Sequence, residues 1–372
     1  PYSALQSSPR ILITCRFEIV TYLRILHCVT TIYSNLFTIS IVFITFSAFK
    51  ASVGDVLHNA VCWQSPRAHG QHQILQASAG AMGSSETMYG ESEFVKEMGL
   101  FREAAQRFGR AEITRKEYKG ISGRYGSYAQ KGDCCMLRLR IPGGALSKEN
   151  LEFIAGCVEE HHIDMVHLTT CQSVQLHNLE LQTACDIAES AFARGIHTLG
   201  GGGDYPRNIT ASPLTGVEPG VHGDVLPYAK AAESYLMGIF GRTSLPRKMK
   251  IGFSDSNRNA AHATFRDLGF VCDSGGTFDV YIAGGLGKDP RMGLKAAQGI
   301  DPGDVLYHIR AMTGVFETHG DRSDRSRART RYMQDSLGKE RLLRAYREHL
   351  EEAKAAGGLG ISTEASSECK AG

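Results

Sequence analysis

Four consecutive glycines, Gly200 to Gly203, lie in the segment LGGGGDYPRNITASP at 199–213. No regular helix or strand holds such a run without a heavy conformational-entropy cost. The segment is therefore a loop in the middle of the chain, and the flanking sequence must organise itself on either side. Glycine lets backbone N–H groups approach a ligand closely and point the same way, which suits an anion. Arg207 adds a cationic fork, and Asn208, Thr210 and Ser212 add hydrogen-bonding groups. From these residues alone, a surface loop joining two domains and an anion-binding loop are equally good readings.

Upstream of the loop, the texture is globular from Glu91. Residues 93–108 read as a helix, and 113–120 as a short segment entering a basic, glycine-containing loop. Met136 to Ile141 (MLRLRI) alternates apolar and charged residues, a strand pattern. Pro142-Gly143-Gly144 breaks it. Ser147 is suited to cap a helix in which Leu151, Ile154, Ala155 and Val158 share one face. Two short strands follow, over 164–169 and 173–177. Leu181, Ala184, Cys185, Ala188, Ala191 and Phe192 mark a second amphipathic helix, closed by Gly195. Residues 196–199 read as a last strand. The order is β-α-β-β-α-β, the split βαβ or ferredoxin-like plan.

Downstream, 226–240 reads as a helix with Pro227 in its first turn. A strand is expected over 250–254, a short helix over 259–268, and a buried strand over 278–283. The glycine turn Gly284-Gly285-Leu286-Gly287 comes next. Helices are expected over 304–316 and 339–356, with a basic stretch at 319–332 between them. The fold class is α+β / α/β. With 372 residues, the chain has length for two domains.

Residues 1–80 differ in kind. The stretch 25–49 is apolar enough and long enough to span a bilayer, and Arg10, Arg16 and Arg24 precede it. The preferred reading is upstream sequence unrelated to the rest, since Met82 or Met88 would make a natural start. A membrane anchor is the alternative, and a cytoplasmic location is expected. Residues 357–372 read as a disordered tail. The ten cysteines form no C-x-x-C pair, which gives no support to a zinc site or a secreted disulfide framework. A net charge of +2 argues against a nucleic-acid partner.

Six segments in order carry a resemblance: MLRLRIPGG (136–144), LTTCQSVQLH (168–177), PRNITASP (206–213), LPRKMK (245–250), AGGLG (283–287) and HGDRSDRSRARTRY (319–332). Together the chain resembles the nitrite and sulfite reductase hemoproteins, which use siroheme and a 4Fe–4S cluster. The resemblance covers roughly 95–350 and corresponds to the N-terminal half of that family. It implies a ferredoxin-like half-domain over 91–200 followed by a siroheme-binding α/β domain over 201–350. The family's second half carries cluster cysteines in C-x5-C and C-x3-C spacing, and this sequence has no such set. Independent catalysis is thereby in doubt. The implied reaction is reduction of sulfite to sulfide or nitrite to ammonia. The alternative is a non-catalytic siroheme-binding fragment or subunit that needs a separate cluster-bearing half.

The resemblance assigns Arg138, Arg207, Lys248 and Lys250 to the substrate-side basic cluster. Arginine can fork onto oxyanion oxygens, and lysine can also deliver a proton. On the residues alone, solvated strand faces are the simpler account of Arg138, Lys248 and Lys250. Gln172, Gln175, His177, Asn208, Thr210, Arg247 and the turn glycines Gly284, Gly285 and Gly287 are candidates for holding the macrocycle. No residue is proposed as a metal ligand. Two positions depart from the family: Cys171 stands where an arginine is frequent, and His167 where some relatives carry arginine. Each lost ion pair would be worth on the order of 1.5–3 kcal/mol. The resemblance implies that part of the arginine run 322–331 packs against the central domains and cofactor; a solvated basic face is the alternative, and the run could also touch an acidic electron donor such as ferredoxin.

Overall fold

The computed structural model describes residues 44–45 and 90–361. Met82, Met88, 362–372 and all of 25–49 except Ile44–Thr45 lie outside the described residues. Among those described, no helix is long and apolar enough to cross a membrane. The elements run β1 (Ile44–Thr45), α1 (Glu91–Gly109), α2 (Arg115–Ser122), β2 (Ser127–Ala129) and β3 (Cys134–Leu139). Next come α3 (Lys148–Glu160), β4 (Met165–Leu168), β5 (Val174–Glu180), α4 (Leu181–Phe192) and β6 (Thr210–Ala211). The remainder is α5 (Leu226–Gly238), β7 (Ile251–Ser254), β8 (Leu268–Cys272), β9 (Phe278–Ile282) and β10 (Leu294–Ile300). Three helices close the chain: α6 (Val305–His319), α7 (Met333–Ser336) and α8 (Lys339–Ala356).

Local chemistry explains where the helices start. The Thr114 hydroxyl accepts the Glu117 N–H at 3.3 Å, and the Glu117 carboxylate accepts the Thr114 N–H at 2.7 Å, a reciprocal cap on α2. Ser147 caps α3 through the Asn150 N–H at 3.2 Å, as its sequence position implied. In α1, Phe94, Met98, Phe101 and Ala105 fall on one buried face, and Phe94 stacks on Phe192 of α4 with ring centroids 3.5 Å apart.

The first sheet has the order β1-β4-β5-β3-β2, all pairs antiparallel. The expected last strand over 196–199 is not there. That stretch touches the sheet through one bond, from the Arg140 N–H to the His197 carbonyl at 2.8 Å. The edge beside β3 belongs instead to β2, which a short hairpin delivers without a crossover.

The second sheet, β10-β9-β8-β7-β6, is mixed: β6, β7 and β8 run parallel, and β9 and β10 complete it antiparallel. Strands β7 and β8 are buried at every position, the pattern of a sheet covered on both faces. The expected helix over 259–268 reduces to one tight turn at Ala263–Phe265. Asn259 and His262 take φ values of 55° and 58°, which interrupts any helix, and 268 instead begins β8. Gly269 is required in β8, because a Cβ there would lie 1.9 Å from the Ala263 carbonyl oxygen. Helices α5, α6 and α8 pack against one another, α6 on both α5 and α8.

Candidate functional site

The site begins as a row across the first sheet. Register places Arg138 of β3 opposite Gln175 of β5, and Gln175 opposite His167 of β4. Their neighbours Leu137, Leu176 and Val166 face the core, so alternation puts the three polar side chains on the other face. The Gln175 oxygen accepts from Arg138 Nε at 2.9 Å while its nitrogen donates to His167 Nδ1 at 3.0 Å. His177, two residues along β5, meets Gln130 through Nδ1 at 3.0 Å.

The glycine loop does not present the open row of N–H groups that the anion-binding reading of it requires. Three of its four N–H groups are spent on the protein: Gly200 donates to the Arg124 carbonyl at 2.7 Å, Gly201 to the Thr198 carbonyl at 2.9 Å, and Gly203 to the Tyr128 hydroxyl at 2.8 Å. Its carbonyls hold cations instead. The Gly201 oxygen accepts from both Arg138 and Arg207, and the Gly203 oxygen from Arg207 Nη2 at 2.7 Å. Two guanidinium groups from separate motifs thus meet on one peptide oxygen. Glycine is required for close approach at Gly202, where a Cβ would sit 2.4 Å from the Gly123 carbonyl oxygen and 2.5 Å from the Tyr128 hydroxyl. A Gly202→Ala chain is therefore expected to lose about 1–3 kcal/mol of stability. A thermal unfolding midpoint equal to that of the parent would contradict this.

Lys248 and Lys250 lie just before β7, not within it. Between them Met249 is fully buried and bridges to Pro206, so the two lysines still share a side of an extended segment. Burial, followed by Arg207, Arg329, Lys250 and Arg247, pushes the Lys248 ammonium down to about 8. Arg207 is likewise pulled down to about 10 by burial, with Arg138 and Arg140 adding to the effect against the opposing Tyr128. Cations crowded this way lack enough negative charge. The buried Nε atoms of Arg207 and Arg329 have no hydrogen-bond partner.

The carboxylates present are structural anchors. Asp267, 1% exposed, accepts from the Lys250 backbone N–H at 2.7 Å and from Arg329 Nη2 at 2.7 Å, and it also bonds the Thr330 hydroxyl. Asp204 takes Arg247 at 2.9 Å and Arg325 at 2.6 Å. Burial pushes the Asp204 carboxyl up, but the two guanidiniums outweigh it and hold it below its usual range. Arg140, 1% exposed, pairs with buried Glu233 and donates to the carbonyls of Pro206 and Arg207 at 2.8 and 3.1 Å.

Several candidates for holding a macrocycle serve as stitches between the two sheets. Asn208 Nδ2 donates to the carbonyls of Ile141 and Cys171, each at 2.8 Å. Gln172 pairs with both backbone groups of Ala211 at 2.8 and 2.9 Å. Thr210 instead ties two strands of the second sheet, its hydroxyl donating to the Ile251 carbonyl at 3.1 Å. The turn Gly284–Gly287 closes on another side chain, since added Cβ atoms at Gly285 and Gly287 would lie 3.2 and 3.4 Å from Arg331. Sequence reasoning did not single out Arg140, Glu233 or Asp267. Arg140 was detectable, because it follows Arg138 by two residues in an alternating strand. The others are not: nothing local distinguishes Asp267 from any acid near a strand start.

Comparison with known proteins gives the chain's family. Residues 128–191 match the model of the nitrite/sulfite reductase ferredoxin-like half domain, and 202–354 that of the nitrite and sulphite reductase 4Fe-4S domain. The chain belongs to the nitrite and sulfite reductase hemoprotein superfamily. The first match ends at 191, and the second begins at 202, inside the glycine loop. Ferredoxin--nitrite reductase of Synechococcus elongatus is 31% identical over 217 residues, covering 55% of this chain and 42% of the relative. Sulfite reductase [ferredoxin] of Mycobacterium tuberculosis is 29% identical, covering 53% of this chain and 36% of the relative. The solved Mycobacterium tuberculosis NirA protein has the same fold, with a TM-score of 0.56 at 24% identity over 69% of this chain and 52% of that one. The chain thus spans about two-fifths of the length of the curated relatives it matches. Siroheme and a 4Fe–4S cluster are typical of the superfamily, and among the described residues no group of His, Cys, Asp and Glu is arranged to hold a metal ion.

Proposed function

We propose that this chain supplies the siroheme- and oxyanion-binding half of a nitrite or sulfite reductase, with reduction requiring a second, cluster-bearing half. One observation carries the reading. Arg138, Arg207, Lys248 and Lys250 converge, with Lys248 and Arg207 held below their ordinary ranges by burial and mutual crowding, and with Arg207 Nε orphaned. Such a cluster suits a polyanion, because bound carboxylates would satisfy donors the fold leaves short. The fit to siroheme is therefore good on the side of charge. Within this reading the half-domain ends near 200 and the second unit occupies 201–350.

When bound, siroheme would supply the iron at which the oxyanion is reduced. The chain's own part is to bind and orient. Arg138 and Arg207 present N–H groups to oxyanion or carboxylate oxygens. Lys248 holds a proton that it can release near neutral pH, which a reduction consuming protons uses. The exposed Arg322, Arg325 and Arg327 offer a basic surface to an acidic electron donor such as ferredoxin.

The deciding experiment is an absorption titration of the full chain with siroheme, alone and with the cluster-bearing half of a relative. Saturable binding to the chain alone, with turnover only in the mixture, is expected. Failure to bind would remove the proposal. A pH series gives a further check. Charged Lys248 costs folding stability at neutral pH, and that cost is relieved as pH rises through about 8. An adjacent anion favours the charged form, so binding takes up a proton. Nitrite stays a monoanion across this range, and its affinity should fall above pH 8 by at most about tenfold per unit. Calorimetry in buffers of different ionisation enthalpy reads the proton directly, and a flat profile would count against Lys248.

A further inference from the structure

Cys171 sits in the loop between β4 and β5, where three cations from different elements surround it. Arg266, just before β8, reaches its sulfur through Nη1 at 4.0 Å. Lys250, in the segment before β7, and Arg138 of β3 lie near enough to interact electrostatically with the thiol. Among the described residues, neither the Arg266 nor the Lys250 side chain has a carboxylate partner. Asn208 lies against the same loop. It is 3% exposed, its nitrogen donates to the Cys171 carbonyl at 2.8 Å, and its Oδ1 is buried without a partner.

We propose that Cys171 is a reactive thiolate, paired with Arg266 and Lys250, that exchanges selectively with disulfides carrying carboxylates. The inference goes beyond the siroheme reading; it shares Lys250 with that site but needs no cofactor. In the exchange, the Cys171 sulfur attacks one sulfur of the disulfide. A new S–S bond forms, the old one breaks, and the electron pair leaves on the second sulfur as a thiolate. The surrounding cations both stabilise the attacking thiolate and draw an anionic reagent to it. Burial pushes the Cys171 thiol up, yet Lys250 and Arg266 outweigh it and hold it below the usual thiol range. Contrast sharpens the assignment: burial pushes Cys135, Cys157 and Cys272 up to about 11 and Cys185 up to about 12.

The test uses the full chain with two probes, anionic dithiobis(nitrobenzoate) and cationic cystamine. Peptide mass mapping assigns each modified cysteine, and each rate is divided by that of the same cysteine in the urea-unfolded chain. At Cys171 the normalised anionic-to-cationic ratio should exceed tenfold, shrink with added salt, and fall in Arg266→Gln and Lys250→Gln. An equal ratio in folded and unfolded chains, or a Cys171 modified no faster than Cys185, would overturn the proposal. The salt series in the parent chain decides the matter even if a variant does not fold. Siroheme titration is read separately, so either idea can fail alone.

Discussion

Replacing Arg140 with methionine is expected to cost about 3–5 kcal/mol of folding stability. The Arg140 side chain is 0% exposed and its partner Glu233 6% exposed. Removing the guanidinium leaves a buried carboxylate with no opposite charge, and strips a donor from the carbonyls of Pro206 and Arg207. That second loss matters to the site, because Arg140 fixes the backbone from which the Arg207 side chain projects. The paired change Arg140→Met with Glu233→Leu removes both charges and should recover most of the stability, since a buried ion pair replaced by apolar groups is often near neutral. Urea denaturation midpoints for the two singles and the double close the cycle. A single variant as stable as the parent would show that the pair is not desolvated as described.

Arg207→Gln should show the opposite balance: a small effect on folding and a large one on binding. Arg207 has no carboxylate partner among the described residues, and its charge is disfavoured by burial and by neighbouring cations. Loss of that charge is expected to change stability by no more than about 1 kcal/mol, with the amide keeping a donor for the loop carbonyls. Each charge-assisted contact to a bound carboxylate is worth about 1.5–3 kcal/mol, so siroheme affinity should fall by roughly 10- to 150-fold. Absorption titration and thermal unfolding on the same preparations provide the comparison. Equal losses in both would reassign Arg207 to a purely structural role.

Much of this was legible from the residues themselves. The alternation in MLRLRI gave a strand with Arg138 on its polar face, and Ser147 marked the start of α3. Spacing could not say which groups of the glycine run face the ligand side. The residue types allowed N–H groups turned toward an anion, but the path of the backbone turns carbonyls toward two arginines. The 259–268 stretch misled for a related reason. Its composition admits a helix, while the left-handed residues Asn259 and His262 and the close packing at Gly269 are decided by the neighbouring sheet. Asp267 was beyond reach, since its partners Lys250 and Arg329 lie 17 and 62 residues away. Long-range pairs of this kind leave no local pattern.

The shared Gly201 oxygen has one more consequence. Long cationic side chains ordinarily sample many rotamers, and holding one still on a ligand costs about 0.5–1.5 kcal/mol. Here Arg138 and Arg207 are already fastened to the main chain, so that entropy is surrendered during folding and not at capture. On the proposed function the arrangement would be a rigid mould: quick to accept an anion of matching shape, and poor at adjusting to one whose charges are spaced differently.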